Sequence, residues 1–372
     1  MNAPRLVRER RGSALMFVII AMVLLAVLSL SAVMGTMHEF KAGRNMLSQQ
    51  RALTIAEYGL NGQLANWTAA RTALAVGAVD SSNVVVTAGD TAKVAVMRLN
   101  GTTFLITSLG RSSVGNGQLE SQRQVSMLVR MSGPSIPAGS ALTSLGEVET
   151  QGSVAITGKS TTPPGWLSCP TSRDTFAISA PPGVKVAVQK PASQADGGVT
   201  ADSKLSAANA LTTFGTETWA SLVSRANITY TSKSNPSPTG TITTCSYGAT
   251  NWGEPSRGGG SVIGCQNYFP IIYSPGDLKL TGGRGQGLLI VDGGLTITGN
   301  FEFVGLILVR DAVQIAGTPK IYGALMTRSQ GGSKTDLQGN MSLSYSPCAI
   351  SKAMGAQALP TRSKHRSWVQ LF

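Results

Sequence analysis

Charged, aromatic and cofactor-ligating side chains are all scarce in this chain of 372 residues. Only 13% of the residues are charged, against about 25% in an average soluble domain. Aromatic residues make up 6%, and the chain has two histidines and four cysteines. These numbers argue against a histidine-based catalytic triad and against a transition-metal centre. We therefore expect no cofactor and no catalysis.

The sequence also lacks the short motifs that mark common enzyme sites. Walker A, HExxH, CxxC and GxSxG patterns do not occur, and the glycines of Gly282–Gly287 do not have the spacing of a dinucleotide-binding loop. Glycine and proline are frequent instead, with 43 and 17 residues. This composition favours short strands joined by turns, so the predicted fold class is α+β and mainly β.

The net charge of +13 is concentrated partly at the two ends of the chain. Arginines precede the first apolar run, and further basic residues follow Cys348. A positive balance favours anionic partners, namely membrane headgroups, an anionic polysaccharide or DNA. The alternative interpretation is a mildly basic, solvated surface.

An uncharged apolar segment occupies Ser13–Met37. As a helix, these roughly 25 residues span about 37 Å, enough to cross a bilayer core of about 30 Å. Because the arginines precede the segment, the positive-inside rule predicts a cytoplasmic N-terminus and an exported body. The sequence thus predicts a single-pass membrane protein.

Three interpretations of this segment compete. It is a plain signal anchor, a secretory signal cut near Ser29–Ser31, or a prepilin signal in which a short basic leader is cut between Gly12 and Ser13. In the third case, which we favour, the helix stays on the mature protein. The prediction is a basic leader over 1–12 and a transmembrane and amphipathic helix over 13–75.

The residues that follow the apolar segment support the third interpretation. Apolar residues continue at three-to-four-residue spacing up to Trp67. The strings RRGSALMFVIIAMVLLAVLSLSAV and RALTIAEYGLNGQL resemble the N-terminal region of PilX-type minor pilins, over roughly residues 8–67. The resemblance implies a structural subunit of type IV pilus biogenesis or a related secretion filament, anchored in the bacterial inner membrane with its body periplasmic or extracellular. Its implied partners are other pilins, the pilus assembly platform and prepilin peptidase.

Phe17 departs from the pattern of major pilins. In that family the fifth mature position carries a glutamate that pairs with the N-terminal amine of a neighbouring subunit, and here the position is Phe17. An unpaired amine buried in a filament costs several kcal/mol, about the penalty of an unmatched buried charge. A minor, tip-located and adhesive subunit is therefore the expectation.

The exported body divides into two β regions. Alternating segments and a hairpin signal at Asn100–Gly101 predict a small antiparallel, pilin-like sheet over 76–135. A β-helix domain is predicted over 136–350, with an insertion at about 159–269 and a helix around Glu217–Ala226. A flexible basic tail is predicted over 351–372.

A repeat of 18 residues carries the β-helix prediction. Gly287, Gly305 and Gly323 share this spacing, and so do three apolar positions two residues further on. Fixed-period self-similarity indicates a solenoid whose coils bury their apolar faces by stacking. The same register places Asp292, Arg310 and Arg328 in one row. We expect Arg310 to pair with Asp292 at a solvated edge.

All four cysteines fall in the predicted exported region, where disulfides are favoured over metal binding. Three connectivities are possible, and we favour Cys245–Cys265 and Cys169–Cys348. Candidate ligand contacts are the aromatic residues of the insertion, chiefly Trp166, Trp252 and Tyr247, with Trp219 and Tyr268 beside them. The alternative is that these rings fill the core of the insertion.

A second function remains open: a membrane-anchored β-helical carbohydrate-binding protein or polysaccharide-active enzyme unrelated to pili. Glycosidic chemistry needs two carboxylates about 5–9.5 Å apart. Asp292 and Glu302 are the pair we consider for it.

Overall fold

The computed structural model describes residues 11–72, 74–113, 119–134, 136, 138–166, 169, 173–189, 192–214, 217–231, 234, 236–238, 245, 247–255, 265–329, 332–362 and 368–371. Residues 1–10, which make up most of the predicted leader, lie outside this set. The chain forms two compact units, one of Met1–Met131 with Pro360–Phe372 and one of Ser132–Leu359.

The first unit combines a long helix with an antiparallel sheet. Helix α1 (Arg11–Ala65) is followed by the short α2 (Ala69–Thr72). The sheet is formed by β1 (Val79–Thr87), β2 (Asp90–Arg98), β3 (Thr103–Ser113) and β4 (Leu119–Ser132), paired in chain order. Alternation in β2 and β3 puts every second side chain in the core, as expected for a sheet with one covered face. The predicted antiparallel region is thus present.

The second unit is built mainly from short parallel strands. Its elements are β5 (Ser140–Ser144), β6 (Val148–Gly152), β7 (Ala155–Thr157), β8 (Phe176–Ala180), β9 (Val186–Val188), β10 (Gln194–Asp196), β11 (Val199–Ala201), a 3-10 turn (Ser203–Ser206), β12 (Thr213–Phe214), β13 (Glu217–Thr218), α3 (Trp219–Val223), β14 (Ile228–Thr229), β15 (Ile271–Ser274), β16 (Leu278–Leu280), β17 (Gly283–Val291), β18 (Leu295–Ile297), β19 (Phe301–Val309), β20 (Val313–Ile315), β21 (Lys320–Thr327), β22 (Thr335–Gly339), β23 (Ser342–Tyr345) and α4 (Pro347–Gly355).

Most of these strands belong to two parallel sheets, a larger one of eleven strands and a smaller one of six. In the larger sheet, Gly287, Gly305 and Gly323 pair in the register that the 18-residue spacing predicts. Leu295 pairs likewise with Val313 in the smaller sheet. Apolar residues of both sheets meet in one core, and those on the outer side of the larger sheet pack under α3 and α4 in a second core.

The order of the strands differs from the order of the chain. Strands β5 and β6 come early in the unit, yet β5 pairs with β21 and β6 pairs with β22. Strands β5, β6 and β7 therefore lie beside strands from the end of the unit. The predicted insertion is only partly an insertion, because β8, β9 and β10 pair in parallel with β5, β6 and β7. Its strands are two to five residues long, too short for their alternation to be detected in the sequence.

The C-terminal segment differs from the predicted flexible tail. Residues 351–355 complete α4, and β24 (Leu359–Arg362) and β25 (Trp368–Leu371) both pair with β4. Ala353 and Met354 are buried, and the Thr361 hydroxyl donates to the Arg130 carbonyl over 2.9 Å. Strands of four residues are too short for their alternation to be recognised in the sequence. Hydrogen bonds from β4 stabilise them in the sheet. Residues 363–367 and 372 lie outside the described residues.

Candidate assembly helix and surface residues

The first part of helix α1 is mainly apolar, and every described side chain of its uncharged segment is exposed. From Ala14 to Met37 every residue is exposed, and Phe17 is 72% exposed. By length and composition this helix is able to cross a membrane. The predicted cleavage residues Gly12 and Ser13 lie in its first turn. A side-chain surface of this kind needs lipid or other helices around it.

The second part of α1 packs closely on the antiparallel sheet. Ala52, Ala56 and Leu60 are buried against β2 and β3. Gly110 in β3 allows this approach, because a Cβ there would lie 2.2 Å from the Ala52 carbonyl oxygen and 2.4 Å from the Ala56 nitrogen. Small residues on both partners therefore set the distance between helix and sheet. The helical spacing predicts the buried face of α1, but not the glycine opposite it.

An ion pair that the sequence does not reveal fastens α1 to the start of β2. The Arg51 guanidinium donates to the buried Asp90 carboxylate over 2.7 Å, and the Thr87 hydroxyl donates to the same carboxylate over 2.8 Å. Burial alone would raise the pKa of Asp90, but the bonds from Thr87, Arg51 and the Ser113 amide outweigh it and hold the pKa below its usual value. Asp90 is therefore charged at neutral pH.

The predicted row of charges lies just after the C-terminal ends of β17, β19 and β21 in the larger parallel sheet. Arg310 lies 3.4 Å from Asp292, and Arg310 also lies over the ring of Trp219 at 4.7 Å. Asp292 accepts hydrogen bonds from Trp219 Nε1 over 2.7 Å and from the Tyr273 hydroxyl over 2.6 Å. Burial, the bond to Asp292 and its charge together raise the pKa of Tyr273 to about 12. Asp292 is thus fully engaged in structure.

Asp292 and Glu302 are not arranged as a glycosidic pair. Arg310 follows the last residue of β19, and Asp292 lies beside it. Glu302 lies near the start of β19, at the other end of the strand. Eight residues of extended chain separate these positions by roughly 25 Å, far from the separation that glycosidases use. Among the described residues, no group of three or more His, Cys, Asp or Glu side chains is placed to hold a metal ion.

The three candidate ligand-contact aromatics differ in exposure. Trp252 is 0% exposed, and its Nε1 donates to the Tyr230 hydroxyl over 2.9 Å. Its prediction as a surface contact is wrong, because the ring packs inside the parallel-sheet core against Phe301. Trp166 is half-buried, with its Nε1 bonded to the Pro255 carbonyl. Tyr247 is 77% exposed and remains available.

The neighbouring aromatic candidates and the cysteines also serve structure. Trp219 is buried in the second core, and Tyr268 packs edge-on against Tyr247 at 4.9 Å. The structure pairs Cys169 with Cys348 and Cys245 with Cys265, at Cα separations of 5.8 and 4.9 Å. The first bridge attaches Cys169 to α4, which covers the larger sheet.

Among known proteins, the comparisons give a weak likeness to a pilin structure. No family model matches the chain, and no curated protein sequence matches it. Among solved structures, the chain is similar to the crystal structure of the competence-associated pilin ComZ from Thermus thermophilus, with 14% identity over 88% of this chain and 97% of that chain. The TM-score is 0.24, so the contacts of this chain carry the functional inference on their own.

Proposed function

We propose that this chain is a structural, non-catalytic, pilin-like subunit of a type IV pilus or a related secretion filament. One observation carries the proposal: a single helix joins an exposed apolar segment, Ala14–Met37, to a segment that packs on an antiparallel sheet. The sheet fixes one end of the helix, and the other end is left free to insert into lipid or among similar helices.

The energetics of this arrangement favour assembly. Burying one Leu, Val, Ile or Phe side chain gains about 1.5–3 kcal/mol, and the exposed segment carries many such residues. In the membrane the gain comes from lipid, and in a filament it comes from neighbouring helices. The short basic N-terminus before Ser13 then stays cytoplasmic, and both units after the span are exported.

Phe17 supports placement as a minor subunit at or near a filament tip. Its exposed phenyl ring occupies the position at which major pilins carry glutamate. A chain without that carboxylate leaves the amine of its neighbour unpaired, which disfavours repeated incorporation. Within this proposal, the PilX-type assignment and the adhesive role rest on sequence resemblance.

The second unit is proposed to be a β-helix carried outward as cargo. The parallel pairing of Gly287, Gly305 and Gly323 and the shared core of the two parallel sheets support this interpretation. A stack of short coils gives a rigid body whose loops and outer faces are free for contacts.

Processing of the N-terminus tests the proposal. In the organism that encodes the chain, we expect the mature protein to begin at Ser13, as measured by mass spectrometry of the protein from membrane and pilus fractions. Gly12→Val should block this cut. Gly35→Ala lies in the same helix with no atom near its Cβ position, and it should leave the cut unchanged.

Two results would contradict the proposal. An intact Met1 terminus together with normal pili in a deletion strain would favour the carbohydrate-binding alternative. Filaments in which this chain is the dominant subunit would contradict the minor role.

A further inference from the structure

A cavity of about 620 Å³ opens on the outer side of the larger parallel sheet in the second unit. Its floor includes Thr143 in β5, Ser179 in β8 and Thr200 in β11. The segment Asp202–Phe214 supplies further lining. The volume lies within the range of about 300–1,000 Å³ that is typical of small-molecule sites.

The floor of the cavity belongs to a row of paired residues that crosses neighbouring strands of the larger sheet. The side chains in this row change from apolar to hydroxyl-bearing at the cavity. In register, Ile290 pairs with Leu308 and Leu308 with Met326, and all three are buried in the second core. Met326 then pairs with Thr143, Thr143 with Ser179, and Ser179 with Thr200. The same row is therefore apolar where α3 and α4 cover it and hydroxyl-bearing where the cavity opens.

These hydroxyls are regularly spaced and partly unengaged. Adjacent parallel strands lie about 4.8 Å apart, so the three side chains form a line across the floor. The Thr143 hydroxyl lies 2.9 Å from that of Ser140. Among the described residues, neither Ser179 nor Thr200 has a side-chain hydrogen bond to another residue. A hydroxyl both donates and accepts, which matches the hydroxyl groups of a ligand.

The remaining lining combines apolar, polar and charged side chains and has no net charge. Phe176, which is 47% exposed, lines the cavity together with Leu205, Leu211 and Phe214. The two charged lining residues are Asp202 and Lys204, which have opposite signs, and the Asp202 carboxylate accepts the backbone N–H of Lys204 over 2.9 Å. A ligand with an apolar face, several hydroxyls and no charge fits this combination.

We propose that the cavity is a binding site for a neutral saccharide of one or two pyranose rings. The C–H face of a pyranose packs on Phe176, and its hydroxyls meet the row formed by Thr143, Ser179 and Thr200. This site is separate from the exposed aromatic residue Tyr247, and it does not depend on the pilin-like role.

The test uses the full chain in phospholipid nanodiscs, so that no detergent with a sugar headgroup or a free acyl chain competes. The probes are cellobiose, lactose, maltose and N,N′-diacetylchitobiose, measured by saturation-transfer difference NMR and titration. At least one disaccharide is expected to bind. Loss of one hydrogen bond in Thr200→Val should weaken its binding roughly 2- to 12-fold, and Phe176→Ala should weaken it by up to roughly 10-fold.

Matched variants keep the test specific. Thr229→Val removes an exposed strand hydroxyl from β14, at the opposite end of the same sheet, and Tyr247→Ala removes an exposed ring outside the cavity. Both should bind as the unchanged chain does, and all variants should keep its melting temperature. Laurate is titrated in the same way as an apolar probe. Absence of binding by all four sugars, loss of binding only in Tyr247→Ala, or binding of laurate but of no sugar would each overturn the proposal.

Discussion

The glycine row at the centre of the larger parallel sheet gives the sharpest prediction of stability. Gly305 has φ of 142°, and a Cβ at this position would lie 2.0 Å from the Gly287 carbonyl oxygen. A Cβ at Gly323 would likewise lie 1.7 Å from the Gly305 carbonyl oxygen. Alanine at 305 must therefore move the backbone of two paired strands, β17 and β19.

The size of the effect follows from two costs. A non-glycine residue in a sparsely populated backbone region costs about 1–3 kcal/mol, and overpacking a close-packed interior costs about 1–3 kcal/mol more. Gly305→Ala should therefore lower the free energy of unfolding by roughly 2–6 kcal/mol. For a unit of the size of Ser132–Leu359 this lowers the melting temperature by roughly 4–24 °C.

Differential scanning calorimetry of the full chain measures this shift directly. Tryptophan fluorescence gives a second signal, to which Trp252 of the same unit contributes because it is fully buried against Phe301. Gly355→Ala is the matched control, since no atom lies within 4 Å of its Cβ position. The control should melt at or slightly above the temperature of the unchanged chain, because alanine favours a helix over glycine by about 1 kcal/mol. Equal melting temperatures for the two variants would refute the reasoning.

Three further predictions concern other contacts. Asp90→Asn removes the charged partner of Arg51 and should cost about 1.5–3 kcal/mol of unfolding free energy at pH 7. Because the folded pKa of Asp90 is lowered, this difference should persist above about pH 4 and disappear as the pH falls through the folded pKa. A difference that stays constant during acid denaturation would contradict this prediction. Replacing Cys169 and Cys348 together by serine opens a loop with a sequence separation of 179 residues. The chain-entropy model predicts that this lowers the free energy of unfolding by roughly 5 kcal/mol, against about 3 kcal/mol for the Cys245–Cys265 pair. The reverse order in calorimetry would contradict this model. Trp252→Ala should lower the free energy of unfolding by about 3–5 kcal/mol, because the ring is fully buried. Tyr247→Ala removes an exposed ring and should change the melting temperature by less than about 2 °C. Equal effects on the melting temperature would show that Trp252 is not a core residue.

The elements that the sequence predicts well are those whose signal is local and repeated. The uncharged segment 13–37 lies within one helix, and the 18-residue spacing of Gly287, Gly305 and Gly323 becomes a parallel register. The Arg310–Asp292 contact follows from the same spacing. Each of these depends on helical period, on strand period or on a fixed repeat, and all three can be counted along the chain.

The elements that the sequence misses depend on partners far away in the chain. Nothing near Leu142 indicates that it pairs with Leu325, and nothing near Trp368 indicates that it pairs with Met127. Trp252 is surrounded in sequence by glycine and polar residues, as a loop aromatic would be, yet the core encloses it. Short strands gain their stability from the neighbours that accept them, so their own residues carry little signal.

The sequence by itself determined the membrane-compatible helix, the mainly β composition and the 18-residue repeat, because each depends on consecutive residues or on a fixed spacing along the chain. Only the tertiary structure decided which strands pair, that Asp90 binds Arg51, and that Thr143, Ser179 and Thr200 line one cavity. These features arise when segments that are distant in the sequence are packed side by side, and hydrogen-bond register and close packing then select one arrangement from many that the local pattern permits.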